Sequence, residues 1–199
     1  MRRALRILHE EHAALRGLLG SVLSILLQAR AAGSRPDFAV LRAMLFYVAE
    51  FPEKRHHRKE SDLLFPKLRA RTPLARRLLD HLDEDHARGE AKIRELEHAL
   101  TSYEMLGDSQ RQPFETSARR YADFYLAHMA LEEREVLPLA ERVLSDEDWD
   151  ELDAAMALDA DPLATIADRD YEALFSRIVF RTPDACGLVE PDRVHATFP

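Results

Sequence analysis

The sequence predicts an all-α protein: an up-down-up-down four-helix bundle carrying an acidic helical extension and an irregular tail at its C-terminal side. Three observations lead there. Apolar residues recur at helical spacing in four long stretches, the breaks between those stretches fall at Gly and Pro, and only six glycines and ten prolines are spread over 199 residues, too few for a turn-rich β sandwich. A composition of 46% hydrophobic and 32% charged residues supports one real core and excludes disordered and collagen-like classes.

The first helix runs through Leu5, Leu8, Leu15, Leu18, Leu19, Val22, Ile25 and Leu26, and Gly33-Ser34-Arg35-Pro36 ends it with a C-cap glycine and a breaker. The second spans Phe38 to about Arg69 with Leu41, Leu45, Val48, Leu64 and Leu68 on one stripe. Pro52 lies inside it as an expected kink, because proline removes a backbone donor. Thr72 as N-cap and Pro73 at the first helical position open the third helix, which continues through Leu82, Ile93 and Leu100 to Gly107. The fourth runs from about Pro113 to Leu144, with Pro138 loosening its last turns. Residues 1–144 are therefore read as the bundle and 145–199 as an extension packed on it.

Residues 145–170 hold ten acids and one base, Arg169, which suggests a short acidic helix, then a second helix from Tyr171 to Phe180 and an irregular tail from Arg181. The acidic segment is expected to dock on the basic run Lys54–Arg77, with Leu174, Phe175 and Ile178 as its apolar anchor. Twenty-eight basic against thirty-six acidic residues gives a formal charge of −8, which argues against a nucleic-acid partner or a polybasic membrane anchor. The single cysteine, Cys186, makes no internal disulfide and no cysteine metal knuckle. Arg2, Arg3 and Arg6 before the apolar run Leu18–Leu27 have some likeness to a signal peptide. Glu10, Glu11 and two histidines interrupt it and the run is too short to span a bilayer, so a cytoplasmic protein is expected.

Two segments repeat a pattern residue for residue. His56-His57-Arg58-Lys59-Glu60 leads to Leu64-Phe65-Pro66, and His128-Met129-Ala130-Leu131-Glu132 leads to Val136-Leu137-Pro138. In each, His and Glu stand four apart, so both side chains share a helix face and can grip one metal site. The first and third helices each add a histidine preceded by an acid, Glu11-His12 and Asp85-His86. Counted from the helix ends at ~1.5 Å per residue, His12, His56, His86 and His128 all lie about 30 Å from the same end of the bundle.

On Glu11-His12, Phe51-Pro52-Glu53 with His56 to Glu60 and Leu64-Phe65-Pro66, the single His86, and His128 with Glu132-Glu133 and Leu137-Pro138, the chain resembles the hemerythrin-like HHE cation-binding family over about residues 5–142. The resemblance implies a non-haem di-iron centre, oxo- or hydroxo-bridged, with His12, His56, His86 and His128 as nitrogen ligands and Glu60 and Glu132 as bridging carboxylates. It implies oxygen or nitric oxide as the small ligand, or a supply of iron for repair. The family's oxygen carriers have a second histidine four residues from the one on the third helix. Here Leu82 and Glu90 hold those places, so the site is similar to the four-His, two-Glu iron–sulfur repair and nitric-oxide-responsive members, and reversible oxygen carriage is not expected.

The other histidines carry less. His57, about 100° around the helix from His56, is read as exposed or as backing the site, His9 as a neighbour of His12, and His81, His98 and His195 as surface groups. A ferritin-like site wants Glu-x-x-His on two helices and only Glu53…His56 fits, and a closed zinc site would leave two of six ligands over. A metal buffer without redox turnover, or an interaction module stapled by a metal, are the alternatives; a homodimer or protein partner is compatible with either. No catalytic step is assigned.

Overall fold

The computed structural model describes residues 2–158, and every regular element among them is helical. Helix α1 covers Arg3–Ala31, after which Gly33 takes φ +63°, a left-handed conformation that needs glycine to end the helix without strain. Asp37 caps α2 (Phe38–Glu50) by accepting from the amides of Ala39 and Val40. The rod continues to α3 (Phe65–Arg71). Thr72 caps the turn Pro73–Ala75 that leads into α4 (Arg76–Leu106), and Gly107 at φ +80° closes α4. The fourth rod is α5 (Arg111–Leu131) and α6 (Leu137–Val143), and α7 (Asp146–Ala157) follows. Neighbours α1–α2, α2–α4, α4–α5 and α5–α1 pack around a closed ring, the all-α bundle the sequence predicts.

The prolines act differently from simple kinks. Pro52–His56, Lys59–Leu64 and Glu132–Val136 are π-helical turns, widened by one residue. The amide of Phe65 bonds the carbonyl of Glu60 and that of Leu137 bonds the carbonyl of Glu132, five residues back in each case. The first widened turn begins at Pro52, and the other two lie just before a proline, Pro66 or Pro138, whose ring would crowd the carbonyl four residues upstream in a regular α-helix. The repeated sequence pattern thus becomes a repeated backbone irregularity, and each begins within a residue of a candidate ligand glutamate.

Buried apolar residues form two clusters with a polar layer between them. One joins Leu15–Leu26 of α1, Val40–Val48 of α2, Ile93–Tyr103 of α4 and Phe114–Met129 of α5. The other joins Ala4–Leu8, Leu64–Leu68, Leu79, Leu82, Val136–Leu144 and three residues of α7. Along every rod the change from one cluster to the other falls at a polar position: His12, His56 to Glu60, His86, and His128 to Glu132. α1 has the length and hydropathy of a membrane span, yet Leu8, Leu15, Leu18, Val22 and Ile25 are buried in the bundle.

α7 packs on α1. A capping box of Ser145 and Asp148 starts it, and Trp149, Leu152 and Met156 are buried in the second cluster. Lys67 pairs with Glu151 at 2.6 Å and Arg71 with Asp148 at 2.7 Å, so acidic residues of this segment do meet part of the basic run. The apolar anchor is Trp149, Leu152 and Met156; Leu174, Phe175 and Ile178, with the expected second helix and tail, lie outside the described residues. Asp153 accepts from the amides of Ala4 (2.6 Å) and Arg3 (3.3 Å), which have no intrahelical partner, and so caps α1 from another helix.

Candidate metal centre

The polar layer gathers all six residues that the sequence singled out. His12 and His56 bring their Nε2 atoms to 3.0 Å of one another, and His86 and His128 do the same at 3.1 Å. Glu60 and Glu132 lie between the pairs. Glu60 Oε2 is 3.4 Å from His56 Nε2 and 3.5 Å from His86 Nε2; Glu132 lies 3.3 Å from both His12 Nε2 and His128 Nε2. Two four-donor groups result, His12–His56–Glu60–Glu132 and His86–His128–Glu60–Glu132, each with its donor atoms within 4.8 Å of one another and both sharing the two glutamates.

Burial decides what such a group requires. Glu60 and Glu132 are 0% exposed, and none of their four carboxylate oxygens accepts a hydrogen bond. An uncompensated buried carboxylate is costly, so cationic charge has to come from the surrounding imidazoles or from a metal. In the metal-free protein the imidazoles supply it. Burial and the facing Glu132 push the Glu60 carboxyl up, but His56, His12 and His86 outweigh them and hold it low. Burial likewise opposes charge on His86, yet Glu132 and Glu60 raise it to about 9. Four nitrogens aimed at two shared carboxylates fit divalent ions equally well, since nitrogen and carboxylate oxygen are ordinary ligands for iron, zinc and manganese. The donor set therefore fits a pair of metal ions.

Three of the four imidazoles are oriented by a hydrogen bond at the far nitrogen, and the fourth, His128, has an acid near it. His12 Nδ1 meets Glu133 at 3.0 Å, and Arg16 holds Glu133 at 2.7 Å. His56 Nδ1 meets Glu11 at 2.8 Å, and Glu11 also pairs with the buried Lys59. His86 Nδ1 meets Ser61 Oγ at 2.9 Å, and that hydroxyl donates on to Asp83 at 2.6 Å. His128 Nδ1 lies 3.5 Å from Asp85 Oδ2. The acids that precede His12 and His86 in sequence thus serve other helices: Glu11 backs His56 and Asp85 approaches His128. Adjacent residues on a helix point about 100° apart, so an acid beside a histidine faces the neighbouring rod.

His57 is not exposed but backs the layer, with one nitrogen within 4.8 Å of those of His86 and His128. It is buried, its ring stacked on that of His86 (centroids 4.0 Å, planes 11° apart) and on that of Tyr125 (5.6 Å, 7°). Burial lowers it to about 4 despite the nearby Glu53, so it is neutral at pH 7. Glu53 accepts from Tyr121 (2.6 Å) and Tyr125 (2.5 Å). Sequence reasoning passed over this buried group because Glu53 and the tyrosines lie 68 and 72 residues apart. The signal available was Gly89, a glycine inside a helix opposite Tyr125. Of the remaining residues, Leu82 is buried in the core, the Glu90 side chain is 55% exposed and paired with Arg94, and His9 is partly exposed at 3.7 Å from Glu133. None of them faces the two carboxylates.

A buried layer of four histidines and two shared glutamates, drawn from every rod of a helical bundle, defines a metal-binding helical protein. Its family follows from the comparison with known domains: the hemerythrin HHE cation-binding domain matches residues 3–140, and the chain belongs to that family. No curated protein matches the chain.

Proposed function

We propose that the chain holds a non-haem di-iron centre and uses it to handle or sense oxygen or nitric oxide, or to release iron for repair. The observation that carries the reading is the sharing of Glu60 and Glu132 by two otherwise separate histidine pairs. His12 and His56 would hold one ion and His86 and His128 the other, with Glu60 and Glu132 offered to both. A pair of irons held in this way supplies reversible one-electron chemistry and positions for a diatomic molecule. The protein's part is to fix His12, His56 and His86 through Glu133, Glu11 and Ser61, to set Asp85 beside His128, and to keep the layer buried between two apolar clusters. A single closed zinc ion would use four of the six donors and leave two over; iron over a pair of zinc ions rests on the family resemblance, and metal content with redox response separates the two.

Metal content of iron-reconstituted protein tests the reading. The parent is expected to hold two irons per chain, and Glu60→Ala and His128→Ala well below that. Two irons in both variants would remove these residues as ligands, and a parent that prefers zinc and shows no redox change would favour the buffer.

A further inference from the structure

We propose that the cleft between α2 and α4 is the route by which a divalent cation reaches the centre, with Glu53 as its inner carboxylate. This rests on the reading of the buried layer as a metal centre, and it adds a second, transient cation site outside that layer.

The cleft holds about 240 Å³ and is lined by Glu50, Glu90 and Glu97 together with Lys54 and Arg94, with Glu53 at its floor. Four carboxylates stand against two cations. Two are partly neutralised, Glu50 by Lys54 and Glu90 by Arg94 at 3.6 Å. The floor is what separates this cleft from an ordinary acidic patch. Glu53 is 3% exposed, its Oε1 takes both tyrosine hydroxyls, and its Oε2 is buried without a hydrogen-bond partner. A carboxylate oxygen left in that condition is a ligand atom in want of a cation.

Inward from Glu53 the donors continue. His57 Nδ1 lies 3.3 Å from Glu53 Oε2, and His57, His86 and His128 each offer a nitrogen within 4.8 Å of the others. A cation can therefore pass from the acidic rim to Glu53, to His57 and on to His86 and His128, never far from a ligand atom. His57 is suited to transit and not to residence. Its ring lies face to face with His86, and imidazole lone pairs lie in the ring plane, so one ion cannot sit in both planes while the stack is kept. The missing side chain at Gly89 lets the Tyr125 hydroxyl and Glu53 lie against the α4 backbone, where a Cβ would fall 2.9 Å from Glu53 Oε2. The larger cleft between α4 and α5, about 450 Å³, is lined by Lys92 and Arg120 against Glu95 alone. Its charge turns a cation away.

Anaerobic stopped-flow loading of the metal-free full chain with Co(II), followed by its visible absorption, tests the route. Glu53→Gln should slow loading about tenfold, and the rim pair Glu90→Gln with Glu97→Gln severalfold, as expected for lost electrostatic steering, both reaching the parent's final stoichiometry. Added salt should slow the parent more than the rim variant. Loading at the parent rate in both variants overturns the route and leaves the centre standing. A Glu53→Gln chain that loads fast but to a lower stoichiometry overturns it too, by making Glu53 a resident ligand. A parent that takes up no metal overturns the functional reading together with the route.

Discussion

Tyr125 lies against Gly89 so closely that a Cβ added there would fall 3.0 Å from Tyr125 Cζ and nearer still to its hydroxyl oxygen. The hydroxyl reaches past the α4 backbone to Glu53, and the same ring stacks on His57. One missing methyl group therefore sets the position of a tyrosine, a buried carboxylate and a histidine that touches the metal layer.

Gly89→Ala should accordingly destabilise the protein, by about 1–3 kcal/mol from overpacking. In an ordinary helix interior the same change stabilises by up to about 1 kcal/mol, so the sign is diagnostic. Thermal unfolding of the metal-free chain checks it; a higher midpoint in the variant would mean that Tyr125 moves aside without cost.

Metal uptake should release protons at neutral pH. Glu132 and Glu60 raise His86 to about 9 and raise His12 and His128 as well, so at pH 7 the metal-free layer holds protons that a ligated imidazole cannot keep. A raised histidine is more fully protonated as pH falls, and the proton competes with the metal for the same nitrogen, so metal retention weakens on acidification and strengthens on the alkaline side. Indicator absorbance in weakly buffered solution should report more than one proton per chain at pH 7 and progressively fewer above pH 9. No release at pH 7 would mean that the imidazoles are already neutral.

Removing a backing acid should weaken binding without removing a ligand. Glu11→Gln leaves His56 in place but replaces its 2.8 Å carboxylate partner, and the expected loss of metal affinity is about 10–100-fold. Competition with a chelator measures it. Asp83→Asn, one bond further from its histidine, should cost less.

Docking of α7 should report on a single residue. The Arg71 hydrogen bond, opposed by slight burial, holds Asp148 at about 2 against an ordinary 3.8. A depressed carboxyl contributes fully above about pH 3.8 and loses its contribution as pH falls towards 2. Trp149 is the chain's one tryptophan and lies buried in α7, so its fluorescence follows undocking. Arg71→Gln should move the acid transition upward, and Trp149→Ala should cost about 3 kcal/mol or more.

The reduced centre should be oxidised by oxygen without a vacuum-reversible absorption band. Leu82 is in the core and Glu90 faces the outer cleft, so α4 offers His86 alone to the layer. Stopped-flow mixing with oxygen decides; a band that disappears under vacuum would make the protein a carrier.

The helices, their ends and the level of the four histidines were legible because each depends on local spacing. Thr72, Gly33 and Gly107 act where the sequence put them. The widened turns were not legible as such, since Pro52 and Pro138 announce a disturbance but not whether the helix bends or gains a residue. Of the two readings of His57, exposed or backing the site, the structure gives the second, since its ring is buried and stacked on that of His86. The pairing of Glu11 with His56 and of Asp85 with His128 was hidden because it joins residues on different rods, and spacing within one helix carries no information about rotation of the next.

The layer that holds the centre also divides the hydrophobic core in two. Cooperative unfolding depends on contacts that run unbroken through a domain, and here the two apolar halves meet mainly through the four rods and a sheet of histidines and carboxylates. Occupied by metal, that sheet would weld all four rods at one level; stripped of it, the sheet becomes a seam. The loaded protein should melt in a single step. The metal-free chain should lose its α7 half and its α2 half at separate temperatures, so the number of transitions in a calorimetric scan counts whether the metal is home.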